Sequence, residues 1–109
     1  MSKTAIIFDQ IDKLPVENIK IAIRTVIICD LNVDIFLVTT NKNILKEIKE
    51  NLLIRLNAII IDSIEELPKE YNAILRISDG AVLSDTLLYE KIVEIMSWPD
   101  KVHREITII

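Results

Sequence analysis

The sequence contains very little cysteine, glycine or proline and few aromatic residues. Among 109 residues there are one Cys, one Gly and three Pro. One cysteine cannot form an internal disulfide, and one cysteine with one histidine cannot complete a structural zinc site. Phosphate-binding loops need glycine where the backbone closely approaches the ligand. With Gly80 as the only glycine, a Walker loop and a dinucleotide-binding fingerprint are both excluded.

Acidic residues outnumber basic ones, there is no basic block, and long apolar runs are absent. Thirteen Lys and Arg face seventeen Asp and Glu, and the formal net charge is −4. Non-specific nucleic-acid binding relies on Lys and Arg, so we expect no nucleic-acid partner. No apolar run approaches the roughly 18 residues that span a bilayer, and "MSKTAIIFDQ" does not resemble a signal peptide. We therefore expect a cytoplasmic protein that does not bind membranes.

Apolar residues make up half of the chain and follow alternating strand and helix patterns. Strand patterns that are apolar on both faces are typical of parallel strands covered on each side by helices. We predict one α/β domain over residues 1–109, a three-layer sandwich with a mostly parallel sheet of about five strands and helices on both faces. Abundant isoleucine with Lys and Glu is typical of a thermophile or of an AT-rich source. The predicted strands are Thr4–Asp9, Val33–Thr40, Asn57–Asp62, Gly80–Asp85 and residues 101–109; the predicted helices are 16–30, one capped by Asn43, a short one at Ser63–Glu66 and one capped by Asp85 or Thr86.

Two residues with reactive side chains are interpreted as structural. Cys29 falls in the last turn of the first helix, where the partial negative charge of the helix terminus disfavours a thiolate. Free cysteine is also among the residues most often buried. His103 lies in the last strand pattern with only Glu105 at i+2, which does not make a catalytic set. We expect no catalytic residue, no cofactor and no metal, and we interpret "SDG" at Ser78–Gly80 as a turn.

Polar residues follow the predicted strands, and ligands of open α/β sheets gather at the carboxyl ends of strands. Several of these residues also have an interpretation as helix caps, notably Asn43, Ser63 and Asp85. Helix capping does not explain the segment from Thr39 to Lys42. Regulatory binding of a small molecule is therefore an alternative function of the chain. The predicted ligand-binding residues are Asp9, Gln10, Thr39, Thr40, Asn41, Lys42, Asp62 and Ser63.

The first helix is more apolar than a one-sided surface helix needs to be. Ile19, Ala22 and Val26 lie on its main stripe, and Ile21 and Ile28 extend the apolar surface around it. Such a helix is either central in the fold or packed against another subunit. We expect a homo-oligomer with helix 16–30 near the interface.

The order of segments resembles the DsrE/DsrF/DsrH-like family of small sulfur-relay proteins. "AIIFD", "ENIKIAIRTVIICDLNVDIFLVTT" and "NILKEI" are similar to that family's first strand, long helix, second strand and following helix, and "LLYEKIVEIMSWPDKV" to its last helix, acidic turn and final strand. The resemblance implies trimers or hexamers and sulfur-relay protein partners. Family members that carry sulfur have a cysteine in or near the loop after the third strand, where this chain has Asp62 and Ser63. Because this chain lacks that cysteine, the resemblance implies a non-catalytic subunit or scaffold that acts through protein–protein interaction.

A second resemblance offers an alternative function. "ILRISDGAVLSDTLLYEKIVEIM" is similar to the segment of sugar-nucleotide and molybdopterin-type nucleotidyltransferases that holds a metal-binding aspartate, which Asp79 or Asp85 would match. The glycine-rich nucleotide loop of that family has no counterpart in "FDQIDKLP". This resemblance therefore implies a degenerate domain that binds a nucleotide with Mg²⁺.

The interpretation of Cys29 gives a first prediction. In the native protein we expect the thiol to react slowly with iodoacetamide at neutral pH, because the end of a helix raises the cost of forming the thiolate. Mass spectrometry of timed samples measures the alkylated fraction, with the urea-unfolded protein as the control for full reactivity. Alkylation of the native protein as fast as that of the unfolded chain would contradict the interpretation.

Overall fold

A computed structural model describes residues 3–11, 13, 15–28, 32–41, 43, 44, 46, 58–97 and 102–109. These residues form five strands and two helices, and a short 3-10 helix follows the third strand. Among the described residues, neither helix has the length and apolar character needed to cross a membrane. The elements are β1 (Lys3–Asp9), α1 (Val16–Ile28), β2 (Val33–Val38), β3 (Ala58–Ile61), the 3-10 helix Ile64–Glu66, β4 (Tyr71–Ser78), α2 (Asp85–Met96) and β5 (Arg104–Ile108).

The strands form one parallel sheet in the order β3-β2-β1-β4-β5. The predicted α/β fold with a parallel sheet of five strands is therefore confirmed. β1 is the central strand, paired with β2 on one side and with β4 on the other. Its side chains from Ala5 to Phe8 are at most 1 % exposed, as expected for a strand covered on both faces.

Both described helices pack against the same face of the sheet. This face carries Ile6 and Phe8 of β1, and the side chains of α1 and α2 complete one apolar cluster with it. The opposite face carries Ala5 and Ile7, and Ile64 and Leu67 around the 3-10 helix pack against it. The expectation of helices on both faces stays a prediction, because only this short segment covers the second face in the described part of the chain.

The two helical crossovers have opposite hands. α1 carries the chain from β1 toward the β3 edge, whereas α2 carries it from β4 toward the β5 edge. Since both helices lie over one face, the two connections turn in opposite senses. Parallel crossovers are right-handed in about 98 % of cases, so one of these two units belongs to the uncommon class.

The fourth strand lies earlier in the chain than the sequence pattern indicated. It is Tyr71–Ser78, and the predicted strand Gly80–Asp85 is wrong. Gly80 has a φ of 84° and lies in the turn after β4, a backbone conformation that glycine adopts without steric cost. Residues 81–84 then lead irregularly into α2. The hydroxyl of Ser84 accepts the N–H of Leu87 at 3.1 Å, so Ser84 caps α2 in place of Asp85 or Thr86.

Of the two residues that were interpreted as structural, only His103 lies within the described part of the chain. α1 is described to Ile28, and Cys29 lies outside the described residues. His103 precedes β5 and is exposed, with its Nε2 3.6 Å from a Glu105 carboxylate oxygen. Arg104 and Ile108 of β5 are buried.

One polar pair closes the amino-terminal end of the second face. The Tyr71 hydroxyl donates a hydrogen bond to the Asp34 carboxylate, and the Tyr71 ring meets Phe36 edge to face at 5.1 Å. Burial raises the pKa of Tyr71 well above its usual value, and the hydrogen bond to Asp34 raises it further. The folded protein therefore keeps the phenol proton at a pH where the unfolded chain releases it.

We expect Tyr71→Phe to lower the unfolding free energy at neutral pH by about 2 kcal/mol, since it removes a hydrogen bond to a charged group. Because the pKa of Tyr71 is raised on folding, wild-type stability should fall above about pH 10, where the unfolded chain ionises. Urea unfolding between pH 7 and 11 measures both effects, and the variant should lose this part of the alkaline decline. Equal slopes in the two proteins would contradict the assignment.

Candidate functional site

A cleft of about 180 Å³ opens at the carboxyl ends of β1, β2 and β3. It lies beside the point where the strand order reverses, which is between β1 and β4. Crevices at the carboxyl ends of parallel strands are the usual ligand sites of open α/β sheets. The lining residues are Gln10, Ile11, Val38, Thr39, Thr40, Asn41 and Asp62.

The walls of the cleft are continuations of the sheet beyond the strand ends. The N–H of Ile11 donates to the carbonyl of Val38 at 3.2 Å, and the N–H of Thr39 donates to the carbonyl of Ile61 at 3.1 Å. These bonds hold the segments after β1 and β2 side by side and tie the latter to the end of β3. The lining residues are thus placed by backbone pairing, which makes the cleft a preformed feature of the fold.

Thr39 fixes the floor of the cleft. Its side chain is buried, its hydroxyl donates to the carbonyl of Ile11 at 3.0 Å, and the same oxygen accepts the N–H of Asn41 at 3.0 Å. Both hydrogen-bonding roles of the hydroxyl are used within the protein, so Thr39 acts as a structural link between the two walls. Thr40 follows it with an exposed side chain at the rim.

Asn41 begins the helical segment that follows β2. Its side-chain oxygen accepts the N–H of Asn43 at 3.0 Å, and Asn43 and Ile44 are already helical. The expected cap on Asn43 is therefore wrong, and Asn41 makes the capping bond two residues earlier. The side-chain amide of Asn41, which also lines the cleft, therefore holds the backbone N–H of Asn43 in place.

Gln10 has a strained backbone. Its φ of 50° lies in the left-handed region, which costs an L-residue roughly 1–2 kcal/mol. It immediately follows β1, turns the chain from the strand into the cleft wall, and is exposed while the next residue, Ile11, is buried. Strain of this kind collects at functional sites because the surrounding structure must hold it in place.

The backbone on the Asp62 side of the cleft is held by the carboxylate of a residue three to four positions later in the chain. Glu66 accepts the backbone N–H groups of Asp62 and Ser63, the contact expected of a capping box. Asp62 is exposed and lines the cleft, whereas Ser63 is the cap residue of the 3-10 helix and does not line it. Asp62 is therefore a carboxylate at the cleft on a backbone fixed by Glu66.

Asp9 forms an ion pair outside the cleft lining. Its carboxylate pairs with Arg76 of β4, whose guanidinium also donates to Glu105 of β5 at 3.1 Å. The hydrogen bond to Asp9 is the main reason why the pKa of Arg76 is raised. The side chain of Asp9 is only 17 % exposed, and it crosses the sheet toward β4 instead of lining the cleft. This ion pair fills the position where the strand order reverses.

Five of the eight predicted ligand-binding residues therefore come together around one cleft. Asp9 and Ser63 lie outside its lining, and Lys42 lies outside the described residues. Sequence reasoning missed two apolar lining residues, Ile11 and Val38. Ile11 gives no strand signal because it stands one residue past a polar break, and its role depends on pairing with Val38.

The aspartates of the nucleotidyltransferase-like segment do not gather at a metal-binding cluster in the described part of the chain. No group of three His, Cys, Asp or Glu side chains is suitably placed there. Asp79 is exposed in the turn after β4. Both oxygens of Asp85 accept hydrogen bonds from Arg24, at 3.0 Å each, so Asp85 forms an ion pair between the two helices.

Comparison of the chain with protein-family models, with curated protein sequences and with solved structures gives no match. The resemblances to sulfur-relay proteins and to nucleotidyltransferases therefore stay predictions.

The backbone of Gln10 gives a third prediction. Gln10→Gly should unfold at a higher denaturant concentration than Gln10→Ala, because glycine adopts a positive φ without steric cost and alanine does not. We expect a difference of about 1 kcal/mol in unfolding free energy from urea titrations, with the alanine variant close to wild type. Equal stability of the two variants would show that Gln10 is not strained in solution.

Proposed function

We propose that this protein is a non-catalytic binding protein for a small polar molecule, which occupies the cleft at the carboxyl ends of β1, β2 and β3. The observation that carries the proposal is the convergence of polar side chains from three separate strand ends on one preformed cleft. Gln10, Thr40 and Asp62 supply an amide, a hydroxyl and a carboxylate to it.

The volume of the cleft suits a small ligand. At about 180 Å³ it is smaller than the roughly 300–1,000 Å³ of sites for drug-sized molecules. This volume suits a compound of the size of a polyol, a monosaccharide or a small amine and is too small to enclose a nucleotide. Size therefore favours the small-molecule function over the nucleotide-binding alternative.

The described lining residues also indicate the charge of the ligand. Asp62 is the one ionisable side chain among them, so the lining carries a negative charge. A carboxylate accepts hydrogen bonds from hydroxyl and ammonium groups, while the amide of Gln10 and the hydroxyl of Thr40 can donate or accept. This chemistry favours an uncharged or cationic ligand with hydroxyl or amino groups and disfavours phosphates and organic acids.

A role as a scaffold in sulfur transfer is the function that the family resemblance implies, and it stays a prediction. It shares with the present proposal the lack of a catalytic group. The two differ in what should bind, since a scaffold requires a protein partner and the cleft requires a small molecule. The residue that would bear most directly on sulfur chemistry, Cys29, lies outside the described residues.

The test is a thermal-shift and calorimetric screen of the purified protein. We expect a compound from the set glucose, inositol, ethanolamine and putrescine to raise the unfolding temperature, since a ligand that binds only the native state stabilises it. Asp62→Asn should abolish the shift by removing the acceptor charge, and Thr40→Val should weaken it at constant side-chain volume.

Asp79→Asn is the matched control, because it removes an exposed carboxylate from the same edge of the sheet outside the cleft lining. It should retain the full shift. A shift that persists in Asp62→Asn, or one produced only by phosphate, citrate or ATP with Mg²⁺, would contradict the proposal. The last outcome would instead favour the nucleotide-binding alternative.

A further inference from the structure

Three polar side chains of the cleft make no hydrogen bond within the described part of the chain. They are the amide of Gln10, the hydroxyl of Thr40 and the carboxylate of Asp62. The other polar side chains of the lining are engaged, since the Thr39 hydroxyl both donates and accepts and the side-chain oxygen of Asn41 accepts a backbone N–H. A ligand in the cleft is therefore recognised by an amide, a hydroxyl and a carboxylate.

Asp62 makes the cleft richer in hydrogen-bond acceptors than in donors. An ionised carboxylate only accepts hydrogen bonds, and its two oxygens offer about four lone-pair sites. The amide of Gln10 and the hydroxyl of Thr40 each donate as well as accept, so they leave this excess unchanged. A ligand that satisfies Asp62 has to bring several donor hydrogens on one group, and a primary ammonium group brings about three.

The described charges around the cleft act in the same direction. Glu65 and Glu66 follow Asp62 in the 3-10 helix, and both side chains are exposed without an ion pair to a described residue. Arg76 of β4 is already paired with two carboxylates, and Lys13 is exposed outside the cleft lining. The charges of these described residues therefore favour a cationic ligand over a neutral or anionic one.

The apolar part of the lining suits a short carbon skeleton. Ile11 and Val38 are at most 5 % exposed, and the N–H of Ile11 donates to the Val38 carbonyl, so the two residues lie side by side in the lining. A volume of about 180 Å³ leaves room for a skeleton of a few carbon atoms. Hydroxyl groups on that skeleton would match the amide of Gln10 and the hydroxyl of Thr40, which both donate and accept.

We propose that the ligand of the cleft is a small primary amine that also carries hydroxyl groups and binds as the ammonium cation. Asp62 accepts the ammonium hydrogens, and Gln10 and Thr40 form hydrogen bonds with the hydroxyl groups. This assignment rests on the proposed function and narrows its ligand class from neutral or cationic compounds to hydroxylated amines. Asp62 is then the residue that determines the preference for an amine over a polyol.

Isothermal titration calorimetry at pH 7 with serinol (2-amino-1,3-propanediol) and glycerol tests the assignment. The two compounds share one carbon skeleton and differ only in an ammonium group in place of a hydroxyl group. We expect serinol to bind about tenfold more tightly, because a hydrogen bond between charged groups is stronger than one from a neutral hydroxyl. Raising NaCl from about 20 to about 200 mM should weaken the binding of serinol and not that of glycerol. Asp62→Asn should bind serinol no more tightly than glycerol.

Glu65→Gln is the matched control, because it removes an exposed carboxylate three residues after Asp62 and outside the cleft lining. It should keep the preference for serinol, and circular dichroism verifies that both variants are folded. An equal loss of preference in both variants would overturn the assignment, because the general field would then be the cause. Glycerol, glucose or inositol binding at least as tightly as serinol would also overturn it and leave the proposed function intact. A protein that binds none of these compounds, nor ethanolamine or putrescine, would contradict both.

Discussion

β1 is enclosed on all sides, and the rest of the structure is arranged around it. Its two edges pair with β2 and β4, one face packs against the helices, and the other lies beneath the segment that contains the 3-10 helix. Burying a strand on both faces requires apolar side chains in succession, and Ala5 to Phe8 meet this requirement. Because β1 also ends where the strand order reverses, its last residues determine what is built at that edge of the sheet.

The last residue of β1 and the residue that follows it have different roles. Asp9 is engaged by Arg76 from β4, which closes the reversal point with an ion pair. Gln10 turns away with a positive φ and forms part of the wall of the cleft on the β2 side. The cleft therefore lies one strand away from the usual ligand position of an open α/β sheet, and it depends on the bonds between the ends of β1, β2 and β3.

Most of the fold follows from local patterns, and the exceptions have long-range causes. The apolar runs of β1, β2 and β3 and the periodicity of α1 and α2 are visible in the sequence. β4 was missed because Asn72 and Arg76 interrupt its apolar pattern, and Arg76 is tolerated only through Asp9 and Glu105 on the neighbouring strands. At the site, the rule that polar residues collect at strand ends identified Gln10, Thr40 and Asp62. It could not separate them from Asp9 and Ser63, whose roles depend on their contacts and positions in the folded chain.

The position of β1 has a consequence for synthesis of the chain. Among the strands of the described sheet, β1 is translated before the others, yet one of its neighbours, β4, begins only at Tyr71. Until then the growing polypeptide presents an unpaired hydrophobic edge, which is the kind of surface that joins other chains in aggregates. Chaperone dependence should therefore be concentrated in the interval before β4 leaves the ribosome, and a chain cut short before Tyr71 should be recovered mainly as insoluble material.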